Sequence, residues 1–140
     1  MLKGICFESS ENFFNKLNAV MDVSQYDWYI DDTEMNYYCF REGKYSGDEF
    51  KNVLPAISSL SFARIRRYPT GSPTDRIDGY EDFIMSDCDL LMLFYDGGFY
   101  EIYGKQEKLL LYIMKMCRDD ACQTAEYVSD SEIGRSYMHF

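Results

Sequence analysis

Histidine is almost missing from this chain of 140 residues: the single one, His139, is the next to last residue. Imidazole is the usual proton shuttle at neutral pH and a common metal ligand. A mechanism built on it would therefore rest on His139 alone, which reads better as a surface or edge-strand residue. Basic residues are also scarce, 14 against 24 acidic ones, for a formal net charge of −10. That balance repels nucleic acid and anionic membranes at a distance and suits a basic protein partner. Nowhere do about 18 apolar residues run together, as a membrane-spanning helix needs. The first residues turn polar over 8–12, unlike a secretory leader, so the expected location is cytoplasmic. The five cysteines are odd in number and dispersed, which excludes a disulfide scaffold and points to reduced thiols. Cys117 and Cys122 have no second Cys or His pair to complete a zinc tetrahedron. There is no G-x-S-x-G, no Gly-rich phosphate loop and no H-E-x-x-H, so no cofactor and no catalytic residue is assigned.

What is present is apolar and aromatic. At 46% hydrophobic and 17% aromatic residues, the chain can bury a sizeable core as one domain over residues 1–140. A strand is expected over 2–7. Phe13, Phe14, Leu17, Val20 and Met21 then recur at helical spacing. Residues 25–30 alternate as a strand with Tyr26, Trp28 and Ile30 on one side and Asp27 and Tyr29 on the other. Asp31, Asp32 and Thr33 look like a turn, with 35–40 returning as the hairpin partner and 41–44 as a charged loop. Ser46 and Glu49 fit a capping box ahead of Phe50, Val53, Leu54 and Ile57, in a helix that Pro55 should cut short. Residues 60–68 read as a strand with Phe62, Arg64, Arg66 and Tyr68 on one face and Ala63, Ile65 and Arg67 on the other. The longest loop signal covers 69–79, followed by a short helical turn capped by Asp78 and Glu81. Residues 105–118 carry the clearest amphipathic stripe, Leu109, Leu110, Ile113, Met114 and Cys117. A strand over 121–128 and an edge strand over 135–140 close the chain. The expected fold class is α+β: a mostly antiparallel sheet with about three helices, whose element order suggests two split βαβ-like units.

The chain centres on a hairpin over 90–103. Asp96, Gly97 and Gly98 suggest a two-residue turn, because glycine supplies the positive φ such turns need. That turn pairs odd positions of one strand with even positions of the other. It would put Leu91, Leu93, Tyr95, Tyr100 and Ile102 under the helices and leave Met92, Phe94, Phe99, Glu101 and Tyr103 on a partly open face.

Three constellations could carry function. The open aromatic face, Phe94, Phe99, Glu101 and Tyr103, and the acidic Asp31 and Asp32 are candidate partner-binding surfaces, since Tyr and Trp with Arg favour interfaces. Arg64 and Arg66 project together and could grip a phosphate or carboxylate, although cross-strand pairing with the protein's own acids is the plainer reading. Asp87 and Asp89 share a side at a strand entrance, as divalent-metal sites require, but also read as a turn end and a solvated strand start.

The segments G-I-C-F-E at 4–8, Y-E-D-F-I-M-S-D-C at 80–88 and Y-E-I-Y-G-K at 100–105 resemble the bacterial family catalogued as domain of unknown function 2691. The resemblance implies a bacterial, cytoplasmic single domain and no catalytic residue. Two functions are expected in order: a non-enzymatic interaction module, such as an acidic immunity or inhibitor-type protein, then a small-molecule or metal-dependent phosphate-ligand enzyme or sensor that uses the aromatic sheet face, with Arg64 and Arg66 for the anion and Asp87 and Asp89 for a metal. A homodimer through edge-strand pairing is compatible with both.

Overall fold

Alternation of apolar and polar residues decides most of the architecture, because a strand facing a core on one side must repeat with period two. Among the described residues the computed structural model has seven strands, β1 (Gly4–Glu8), β2 (Tyr26–Glu34), β3 (Gly43–Tyr45), β4 (Phe62–Pro69), β5 (Leu90–Tyr95), β6 (Phe99–Gly104) and β7 (Gln123–Val128), of which β4, β5 and β6 are buried on nearly every residue because both sheet faces are covered there. The structure describes residues 4–9, 13–34, 41–59, 62–95, 98–119 and 123–128. The strands form one sheet in the order β3-β2-β4-β5-β6-β1-β7, and every neighbouring pair is antiparallel. It is an open α+β fold.

The helices are α1 (Leu17–Val20), entered through a 3-10 turn over Phe13–Lys16, then α2 (Gly47–Val53), α3 (Tyr80–Met85) and α4 (Glu107–Asp119). Helix α2 starts at the expected capping box: Ser46 Oγ accepts from the Glu49 amide and Glu49 Oε1 from the Ser46 amide. Pro55 acts as expected, and the α-helix gives way to a 3-10 turn over Leu54–Ser59. Helix α3 has no side-chain cap at its Gly79 N-cap, and Asp82 instead reaches back to accept from the Asp78 amide at 3.0 Å.

Two split β-α-β units do share the sheet. Strands β3 and β4, joined through α2, run parallel with β2 inserted between them, and β6 and β7, joined through α4, run parallel with β1 between them. One face of the sheet is covered by the 3-10 turn before α1 and by α1, α2 and α4, whose Phe14, Leu17, Phe50, Leu110 and Ile113 cluster with Trp28, Ile65, Met92, Phe94 and Ile102. Trp28 and Phe50 stack with centroids 4.1 Å apart, and the indole N–H donates to the Val23 carbonyl at 3.0 Å. The opposite face holds Tyr68, Leu91, Leu93 and Tyr103, clustered with Ile77 of the long loop and Phe83 of α3.

Three expectations are corrected. Residues 31–33 make no turn, because β2 continues to Glu34, and its partner β3 lies at Gly43–Tyr45, where a charged loop was expected. The residues expected to return, 35–40, lie outside the described residues, as do 135–140. The third correction concerns the central hairpin. Tyr95 pairs with Phe99, so three residues connect the strands, and the Gly98 amide donates to the Tyr95 carbonyl. Odd positions therefore face odd ones. A one-residue change in loop length inverts the second strand's faces relative to the first: Met92, Phe94, Tyr100 and Ile102 lie under the helices, while Leu91, Leu93, Glu101 and Tyr103 share the opposite face.

Candidate functional site

The register correction removes the aromatic docking surface. Phe94 is buried among the helices at 1% exposure, and Glu101 at 4% and Tyr103 at 0% are enclosed on the other face. Of the four, Phe99 alone is substantially exposed, at 38%. Glu101 accepts hydrogen bonds from the hydroxyls of Tyr95 (2.8 Å) and Tyr103 (3.0 Å). Burial raises its pKa above the ordinary carboxylate value, against the lowering effect of the two hydroxyls.

The arginines of β4 divide by parity, as expected. Arg67 points toward the helices, where its Nε donates to Asp89 at 2.7 Å and its guanidinium lies over the Tyr26 ring at 4.0 Å. Asp89 is thereby committed to an ion pair, while Asp87 is exposed, and no group of three metal-ligating side chains gathers among the described residues.

Arg64 and Arg66 face the other way, into a cavity of about 220 Å³ lined by Tyr29, Asp31, Arg64, Arg66, Thr74 and Arg76. Register builds it. Antiparallel pairing of β2 with β4 sets Asp31 opposite Arg64 and Tyr29 opposite Arg66, so an acid and a ring from one strand meet two guanidinium groups from the next. Arg64 grips Asp31 with two parallel bonds, Nε to Oδ1 at 2.8 Å and Nη2 to Oδ2 at 2.7 Å. The same Oδ2 receives Arg66 Nη2 at 3.4 Å, and the Arg66 guanidinium lies 4.4 Å from the Tyr29 ring centroid.

The roof is the 70–79 loop, tied to these arginines through its backbone. Arg64 Nη1 donates to the Ile77 carbonyl at 3.0 Å, and Arg66 Nη1 donates to the Asp75 carbonyl and, at 2.8 Å, to the Tyr68 hydroxyl. Gly71, with φ +85°, takes the left-handed turn that starts the loop, and its amide donates to Asp27. At the rim the exposed Arg76 donates to Asp78 at 2.7 Å.

Among its described lining residues the cavity thus has three guanidinium groups and one carboxylate, in a chain whose net charge is −10. Arg66 is almost fully buried, and its Nε has no hydrogen-bond partner. A buried cationic donor left unsatisfied is costly. Tyr68 and Cys88, beside Arg66, are both pushed up to about 12 by burial, so they stay protonated at neutral pH and offer neither base nor nucleophile.

The structure joins Arg64 and Arg66, expected as ligand residues, with Asp31, expected on a separate partner surface. The Asp32 side chain lies outside the described residues. Tyr29 and Thr74 were not expected in a site. Tyr29 and Asp31 were findable through the alternation that places them opposite Trp28 and Ile30; Thr74 had no local signal, since its position depends on how the loop folds back.

Comparison with known proteins identifies the lineage without an activity. The family described as "Protein of unknown function (DUF2691)" matches residues 2–139, and the chain belongs to it. It is similar to the uncharacterized protein YncE of Bacillus subtilis (strain 168), 21% identical over 156 aligned positions covering 99% of each chain. No solved structure matches. No helix among the described residues is long and apolar enough to cross a membrane.

Proposed function

We propose that this member of the DUF2691 family is a bacterial cytoplasmic binding protein for a small anionic ligand, held between the β2–β4 face of the sheet and the 70–79 loop. The observation that carries the reading is the gathering of Arg64, Arg66 and Arg76 around that cavity, with Asp31 as the carboxylate among its described lining residues. Guanidinium forks bind oxyanions through directed, charge-assisted bonds. A protein this acidic concentrates three arginines around a cavity against its overall field. The cavity presents donors and positive charge, and Tyr68 and Cys88 beside Arg66, pushed up to about 12 by burial, keep their protons at neutral pH, which suits binding rather than proton transfer.

The test is thermal unfolding of the full chain in phosphate or sulfate against chloride at matched ionic strength. A ligand at a hundred times its dissociation constant contributes about 2.7 kcal/mol, which corresponds to a rise of roughly 8 °C for a domain of this size. The rise should shrink in Arg76→Ala, whose exposed side chain contributes little to the fold. Equal melting temperatures in all three salts refute the proposal. The charge of −10 supports a second reading, a basic protein partner, although Phe94, Glu101 and Tyr103 would not form its contact surface.

A further inference from the structure

Resting on the anion-binding reading, we infer that the Asp75 carbonyl is a latch: it occupies Arg66 in the closed site, and the anion binds by exchanging with it as the middle of the 70–79 loop lifts. The protein's own acceptors engage both arginines of β4. Arg64 gives Nε and Nη2 to Asp31 and Nη1 to the Ile77 carbonyl. Arg66 gives Nη1 to the Tyr68 hydroxyl and the Asp75 carbonyl, and Nη2 to Asp31 at 3.4 Å. A ligand oxygen therefore reaches Arg66 Nη1 by replacing one of these acceptors, and they are not equally replaceable. Asp31 is a charged acceptor shared by both arginines, and the Tyr68 ring is fully buried. The Asp75 carbonyl is neutral and belongs to an exposed residue. An oxyanion brings the guanidinium a Coulomb attraction that a neutral carbonyl lacks.

The loop is built to release at that point. Its ends are tied separately. At the start, Thr70 Oγ1 donates to the Gln25 carbonyl and the Gly71 amide to Asp27, each at 2.9 Å. At the far end, Ile77 is buried with Tyr68, Phe83 and Leu91, and its carbonyl is held by Arg64. Between these anchors Pro73, Asp75 and Arg76 are exposed and Ser72 and Thr74 half-buried. Lifting this stretch removes little apolar surface from the core, which is the mark of a segment that opens locally.

Tyr68 completes the latch. Its hydroxyl accepts from Arg66 Nη1 at 2.8 Å and donates to the same Asp75 carbonyl at 3.1 Å, so that carbonyl receives two donors from the sheet. Removing the hydroxyl takes one donor from the carbonyl and one acceptor from Arg66. Both changes favour the anion: the first raises the population of the open site, which sets the apparent affinity, and the second frees a donor. Loss of a polar group beside the ligand should thus tighten binding, the opposite of what a rigid site predicts.

The experiment is a sulfate titration of the intact ¹³C,¹⁵N-labelled chain and of Tyr68→Phe at pH 7.5 and constant ionic strength, following the amides of 62–79 and the Asp75 carbonyl carbon. Tyr68→Phe should bind sulfate about threefold tighter or more, the equivalent of one modest hydrogen bond. In the parent protein the Asp75 carbonyl resonance should move upfield on saturation, as its donors leave; this measurement holds even where the variant is destabilised. Equal or weaker binding by a folded Tyr68→Phe, or an Asp75 carbonyl that keeps its shift while sulfate saturates the parent, would overturn the latch and leave the anion-binding reading standing. No shift in 62–79 at any sulfate concentration would overturn both.

Discussion

Removing the carboxylate of Asp31 should cost more stability than removing the guanidinium it pairs with, and the structure fixes the sign of that difference. Arg64 and Asp31 share two bonds of 2.8 and 2.7 Å, with side-chain exposures of 4% and 19%. In Asp31→Asn the Arg64 fork meets one amide oxygen and one amide donor, leaving a charged group with almost no access to water, and Arg66 loses the same acceptor. Breaking a buried pair from one side costs about 3–5 kcal/mol; the retained oxygen and the bond to the Ile77 carbonyl reduce this to roughly 2–3 kcal/mol. In Arg64→Met the charge left behind is the less buried Asp31, which can take water and keeps Arg66, so about 1–2 kcal/mol is expected. The double variant should be less destabilised than the sum by about 1–2 kcal/mol, the coupling of a contacting pair. Urea unfolding at pH 7 of all four proteins provides the cycle, with midpoints compared at constant m-value. Asp31→Asn within about 0.5 kcal/mol of the parent, or Arg64→Met as the worse variant, would refute the burial argument.

Further predictions follow from the hairpin and from α2. Glu101 has a raised pKa in the fold, so the native state holds its proton to higher pH than the unfolded chain, and stability falls as pH rises from the ordinary value of 4.5 through the folded value. Glu101→Gln should therefore be the more stable protein at pH 7, with the advantage shrinking toward pH 4 in a series of urea midpoints; an advantage that grows on acidification would contradict the sign. Gly47, the first residue of α2, lies so close to the Ser24 backbone that an added Cβ would sit 2.2 Å from its carbonyl oxygen. Helix propensity favours Gly47→Ala by up to about 1 kcal/mol, but the clash should prevail and lower stability by about 1–3 kcal/mol. A raised midpoint in chemical unfolding would show that the contact is relieved at no cost.

The elements were legible where a local rule had no competitor. The capping box of Ser46 and Glu49 and the stop at Pro55 depend on bonds within a few residues, and both stand in the structure. So does the parity of β4, which sets Arg64 and Arg66 apart from Arg67. The hairpin was misread because Asp96-Gly97-Gly98 fits a two- or a three-residue connection, and that choice moves Phe94 from an open face into the core. The turn at residues 31–33 was misread because acidic residues there suggest a loop, whereas Asp31 is polar in order to meet Arg64 across the strand pair.

The sequence by itself determined an acidic α+β chain, its amphipathic helices, its strand periodicity and the projection of two arginines from one strand, because each follows from composition or from the period of a single element. Only the tertiary structure decided that β2 lies beside β4, that Asp31 and Tyr29 sit opposite Arg64 and Arg66, and that the 70–79 loop folds over them. The strand contacts join residues more than thirty apart, and the loop contacts join residues 13 and 9 apart. No local preference encodes them; they are set when the sheet chooses its strand order and register to bury Trp28, Ile30 and Ile65 together.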